Sequence, residues 1–137
     1  MLRPSADNPV VSDASSAILD AGALDRMREL DPTGHGRVVE RVLQAFEGSV
    51  RRLAPELRTA AGAGDRVAVG HVAHTLKSSS ASIGALRLSH LCAALEADIR
   101  DGSPVDLAAR ADALATELDA VLGSLRTVAA IPGRAAA

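Results

Sequence analysis

Apolar residues recur at intervals of three and four along most of the chain, the spacing that lines one face of an α-helix. The clearest run lies at roughly 36 to 61, where Val39, Val42, Leu43, Phe46, Val50, Leu53 and Leu57 share a face. Pro55 falls inside it, so the pattern predicts either a kink or break near 54 or a tighter turn near the helix end. Before it, Ile18, Leu19, Leu24, Met27 and Leu30 predict a short helix over about 17 to 30, interrupted by Asp31-Pro32-Thr33-Gly34. After it, Gly62-Ala63-Gly64 is a stop signal and Asp65 an N-cap. A third helix is expected from about 66 to 83, ending at Gly84. A fourth, about 85 to 101, carries Leu88, Leu91, Cys92, Leu95 and Ile99. Asp101-Gly102-Ser103-Pro104 separates it from a fifth, about 105 to 128, with Leu107, Ala111, Leu114, Leu118, Val121, Leu122 and Leu125.

No strand pattern competes, and short connections make successive helices antiparallel neighbours. The expected fold is all-α: an antiparallel four-helix bundle over residues 16–128 with a short extra N-terminal helix. Residues 1–15 and 129–137 are expected as flexible tails. The opening Met and loosely patterned ends suggest a freestanding protein, although a domain cut from a hybrid sensor kinase would also fit.

Composition narrows the function. Of 137 residues, 47% are hydrophobic but only 1% aromatic, so Leu, Val, Ile and Ala must build the core. With 15 basic and 17 acidic residues the formal charge is −2, and Phe46 alone could stack on a base. That disfavours nucleic-acid binding. No apolar run approaches a membrane span and no signal-peptide pattern opens the chain. One cysteine, Cys92, excludes an internal disulfide and suits a reducing compartment. A soluble, cytoplasmic monomer is the expectation.

The unusual chemistry sits in the third helix, His71-Val72-Ala73-His74-Thr75-Leu76-Lys77-Ser78-Ser79-Ser80-Ala81-Ser82-Ile83-Gly84. Val69, Ala73, Leu76, Ser80 and Ile83 should face the core. A second face then carries Val67, Gly70, His71, His74, Lys77, Ser78 and Ala81, with His74 flanked at i±3 and i±4. As scaffolding this face is costly, since interior Gly loses about 0.5–1 kcal/mol against Ala and Ser is also a weaker helix former. The cost makes sense if small side chains clear the imidazole for a docking partner. Lys77 is the sole lysine; the other fourteen basic residues are arginines. It places a compact ammonium one turn from His74.

His74-Thr75-Leu76-Lys77-Ser78, then Gly84, Leu88, Cys92, Leu95 and Glu96, resembles the histidine-containing phosphotransfer (HPt) family signature. In that signature a histidine, a lysine three residues on and a glycine ten residues on precede a Leu…Cys…Leu-Glu helix. The motif covers about residues 67 to 100. One departure is Ser78, where the family commonly has Gly.

The resemblance implies that His74 accepts a phosphoryl group from a receiver-domain aspartyl phosphate and passes it to another response-regulator receiver. Lys77 would stabilise the phosphoryl charge, with Arg100 as a secondary positive charge. Val67, Gly70, His71, Ser78 and Ala81 would form the docking face, while Gly84, Leu88, Cys92, Leu95 and Glu96 serve as a structural motif. Imidazole ordinarily titrates near about pH 6.5, so a neutral nucleophile is available. By the same resemblance the receiver supplies Mg²⁺ and this chain binds no cofactor; a hybrid sensor kinase is the expected upstream partner. Nothing resembles a P-loop and the chain is too short to add an ATP-binding domain, so autokinase activity is not expected.

Other readings accompany this one. His71 is the rival nucleophile, or else a docking or tuning neighbour, whereas His35 and His90 read as exposed residues. His71, His74, His90 and Cys92 are metal-ligand types, but His90 and Cys92 face opposite ways on a helix and Lys77 would repel a cation. No metal site is expected. An alternative function is a phosphorylation-independent adaptor that binds a receiver or other regulator through the same face.

Overall fold

The computed structural model describes residues 18–33 and 37–130. The predicted N-terminal tail, His35, the side chain of Leu24 and the C-terminal segment from 131 onward lie outside the described residues. Within them the chain is all-α, with helices α1 (Ala21–Glu29), α2 (Val38–Gly62), α3 (Arg66–Ser82), α4 (Leu86–Arg100) and α5 (Leu107–Ala130).

Each boundary has a local cause. The Asp20 carboxylate accepts the Ala23 amide at 3.1 Å and starts α1 there, so Ile18 and Leu19 precede the helix. Leu19 is nonetheless fully buried. Leu30, expected on the same apolar side, is instead 79% exposed, because it caps the end of α1 where the chain turns away. The Val38 amide reaches back to Asp31 Oδ2 at 3.2 Å, which caps α2. That helix runs unbroken through Pro55. Pro55 and Arg51 are both exposed, so the carbonyl that loses its intrahelical donor at Pro55 faces water.

Between α2 and α3 the Asp65 amide donates to Ala60 O at 2.9 Å, and Asp65 Oδ1 then accepts the Ala68 amide at 3.0 Å. Asp106 caps α5 in the same way through the Ala109 amide, so that helix starts two residues later than the pattern predicts and continues to Ala130.

Helix α3 packs on α4, α2 on α5, α2 on α3 and α4 on α5, closing the bundle, while α1 lies against α2. Leu57, Val69, Leu76, Leu88, Cys92, Leu95, Leu114, Leu118, Val121 and Leu125 are almost wholly removed from water at its centre. Each such leucine contributes roughly 1.5–3 kcal/mol of burial. Val69, Ala73, Leu76, Ser80 and Ile83 all point inward as the spacing requires. That fixes the rotation of α3 and turns its other face outward.

Gly84 ties α1 to the turn between α3 and α4. Its φ of +80° is a left-handed conformation, and the Ala85 amide reaches back to Ser80 O at 2.8 Å. Its carbonyl accepts the Asp20 amide at 2.7 Å. A Cβ at Gly84 would come within 2.6 Å of Ala23 Cβ.

Candidate functional site

With Val69, Ala73 and Leu76 in the core, helical geometry leaves His71, His74, Ser78 and Ala81 exposed, and all four are. The His74 side chain is 59% exposed. Lys77 is more sheltered, at 34%, because it leans toward α4. On that helix Leu88, Cys92 and Leu95 are fully buried, and Glu96, one residue beyond Leu95, emerges at the seam with α3.

Glu96 joins the two helices. Its Oε2 lies 2.7 Å from His74 Nδ1, and its Oε1 accepts from Lys77 Nζ at 2.6 Å. The hydrogen bond from Lys77 is the main cause holding the Glu96 carboxyl below its ordinary pKa; desolvation opposes it, and the hydrogen bond with His74 adds to the lowering. An ionised carboxylate only accepts, so Nδ1 of His74 carries the proton. Nε2 is then the nitrogen with a free lone pair, on a ring that is largely in solvent. Ser89 steadies the seam by donating its hydroxyl to Lys77 O at 3.2 Å.

Sequence reasoning gave Glu96 only a structural part. Its spacing carried a usable signal: 22 residues after His74, at the edge of the apolar stripe of α4, it had to fall where the two helices meet.

The other expected residues divide. Val67 is 81% exposed and, with His71, forms one bank of an open groove of about 780 Å³ between α2 and α3. Pro55, Glu56 and Thr59 form the other bank. Gly70 is only half-buried, and a Cβ there would meet Ile99 Cγ2 at 3.5 Å. That is ordinary van der Waals contact, so the packing of α4 on α3 does not itself require a glycine at this position. Arg100 is exposed one turn beyond Glu96, and its Nε pairs with Asp101 Oδ1 at 3.8 Å. His90 is exposed and Cys92 buried, on opposite sides of α4. Burial pushes the Cys92 thiol up to about 12, with the Glu96 carboxylate adding to the rise and the Lys77 ammonium opposing it. Among the described residues no group of three or more His, Cys, Asp and Glu side chains is arranged to hold a metal ion.

An exposed histidine with one nitrogen tethered and an ammonium beside it sits within a stretch, residues 41–124, that matches the Hpt domain family. The chain belongs to the Hpt domain family. It is also similar to the crystal structure of histidine-containing phosphotransfer protein B (HptB) from Pseudomonas aeruginosa PAO1, with a TM-score of 0.66 and 25% identity over 82% of this chain and 94% of that one. No curated protein matches the chain. Family and structural likeness together support histidine phosphotransfer in a phosphorelay as the class of function. Hpt domains are phosphotransfer carriers rather than kinases, and the family implies receiver-domain partners in two-component signalling. No helix among the described residues is long and apolar enough to cross a membrane.

Proposed function

We propose that this Hpt domain is a phosphorelay intermediate whose phosphoacceptor is His74 Nε2. The observation that carries the reading is the tether of Nδ1 to Glu96 at 2.7 Å on a ring left 59% exposed. A receiver must bring its aspartyl phosphate in line with a nitrogen lone pair, and Nε2 is the one pointed away from the helix seam. Phosphoryl transfer depends chiefly on positioning and on neutralising charge over the phosphoryl oxygens. Lys77 supplies that neutralisation from this side, one helical turn from the ring.

The receiver contributes Mg²⁺ and the attacking or leaving carboxylate, so this chain needs no bound cofactor and does not phosphorylate itself from ATP. Val67, His71, Ser78 and Ala81 form the docking face, and the α2–α3 groove beside His71 extends it. A receiver within a hybrid sensor kinase is the proposed donor and a response regulator the acceptor. The chain works as a cytoplasmic monomer, residues 16–128 forming the working unit.

The test is incubation of the purified chain with receiver domains phosphorylated by their kinase, read by intact mass and by loss of label from the receiver. Transfer of one phosphoryl group supports the relay. Stable receiver binding with no transfer to this chain supports the adaptor instead.

A further inference from the structure

The fixed charges immediately around His74 cancel. Lys77 is matched by Glu96 and Arg100 by Asp101. Elsewhere Arg37, Arg87, Arg110 and Arg126 are matched by Glu40, Glu117, Asp98 and Glu47. Arg66 is turned onto the carbonyls of Asp98 and Ser103. On α1, Arg26 and Arg28 share a short helix with Asp25 and Glu29. The remaining described arginines, Arg41, Arg51, Arg52 and Arg58, all lie on α2 and all are exposed. None of the four forms an ion pair with a described carboxylate.

Helical rotation sets these four on the outer face of α2, in two rows beside a spine that includes Gly48 and Pro55. Arg51 and Arg58 stand toward α5, where Glu47 meets Arg126. Arg41 and Arg52 stand toward α3, and Arg52 comes one turn before Glu56 on the groove bank. With Glu40 and Glu47 already matched, Glu56 is the one unpaired carboxylate of α2. It follows Arg52 by four residues, the less favourable order for an ion pair along a helix.

The connection between α2 and α3 fixes the height of this face. Arg52 lies ten residues before Gly62 and His74 eight residues after Arg66. That puts them roughly 15 Å and roughly 12 Å along their helices from the shared turn. Arg52 and His74 therefore stand at nearly the same level of the bundle, on neighbouring antiparallel helices.

We propose that this arginine face of α2 steers the phosphorylated receiver: it attracts the receiver's anionic end and speeds its encounter with His74, while taking no part in the transfer step. This rests on the reading of His74 as the phosphoacceptor of a relay, and adds the residues that govern how fast a partner arrives. The charge complementarity is chemical. Magnesium is ordinarily held by one or two carboxylates together with phosphate oxygens. Those carboxylates and an acyl phosphate dianion outweigh the charge of the ion. A patch of one sign raises association rates by about 10- to 1000-fold and loses that effect as salt screens it.

The experiment measures transfer from a phosphorylated receiver to the whole chain by stopped flow, from about 20 to about 500 mM NaCl. The wild-type second-order rate constant should fall by about tenfold or more across that range. Arg41→Glu/Arg52→Glu should lower it about tenfold at low salt and less than about twofold at high salt, with the rate at saturating receiver unchanged. Arg26→Glu/Arg28→Glu makes the same charge change on α1 and should lose less than about threefold at low salt. Wild-type rates in the α2 variant would overturn the proposal. So would equal losses in the two variants, or a loss that persists at high salt or enters the saturated rate. A second measurement needs no transfer: association of a beryllofluoride-loaded receiver with His74→Gln should show the same salt dependence and the same loss when Arg41 and Arg52 are reversed. If association behaves so but no phosphate moves, the relay reading fails and the steering face stands. If transfer proceeds at a rate indifferent to α2, the relay stands and the steering face fails. Binding of phosphatidylglycerol vesicles or duplex DNA through these arginines, with no receiver associating, would overturn both.

Discussion

Lys77 Nζ and Glu96 Oε1 lie 2.6 Å apart across the seam of α3 and α4, with the lysine side chain one-third exposed and the glutamate one-fifth. A pair so placed is worth little to the fold, since exposed ion pairs contribute about 0–1 kcal/mol. Its value is local: it parks the ammonium beside the His74 ring before any phosphoryl group arrives.

Lys77→Ala should therefore slow receiver-to-His74 transfer by on the order of tenfold to a hundredfold, the loss of one partly solvated charge donor. Its urea midpoint should stay close to wild type. Stopped-flow transfer kinetics together with urea titration check both halves. A collapse in stability with the same fractional loss of transfer would show that the lysine acts through folding.

Gly84→Ala should cost about 2–4 kcal/mol, combining a left-handed backbone with a clash. The added Cβ would lie 2.6 Å from Ala23 Cβ and 3.1 Å from Asp20 Cβ. The damage should begin at the docking of α1, so amide exchange should rise first around Asp20 and Ala23. Chemical denaturation and hydrogen exchange read the two effects.

Cys92 is fully buried and its thiol is pushed up to about 12. Alkylation by iodoacetamide at about pH 8 should be negligible in the native chain and complete in denaturant, because the thiolate is the reactive form. The sign for stability follows. The folded state holds the thiol proton more tightly, so its contribution is intact below the ordinary value of 9.0 and is lost as pH rises from there toward 12. Rapid native-state labelling would contradict the packing of α4.

Glu96 has the opposite sign. Its folded pKa lies below the ordinary 4.5, so the stability it adds is present above that value and lost as pH falls through the lower folded one. Wild type and Glu96→Gln should differ slightly in urea midpoint near neutrality and converge in acid. The difference should also shrink with added salt, as the pair is partly solvated.

Much of this architecture was legible from periodicity. The inward set of α3, from Val69 to Ile83, follows spacing alone, and it dictates that His74 faces outward. Leu30 was misplaced because hydrophobicity does not reveal where a chain turns away from its core; the Asp20 cap and the short α1 decide that. Pro55 was undecidable in one dimension, since a proline's cost depends on whether the orphaned carbonyl meets water. Glu96 was legible as a position but not as a role. Its meeting with His74 and Lys77 depends on how α4 lies against α3, which no single-helix pattern contains. The separation of His71 from His74 rested in the sequence on the signature spacing alone; both are exposed, and the fold adds that His74 is the one tethered to Glu96.

That separation is the most direct point of attack. A phosphorylated receiver should transfer its label to wild-type protein and to His71→Gln, and not to His74→Gln. Labelling that survives in His74→Gln and disappears in His71→Gln would contradict the assignment of the phosphoacceptor.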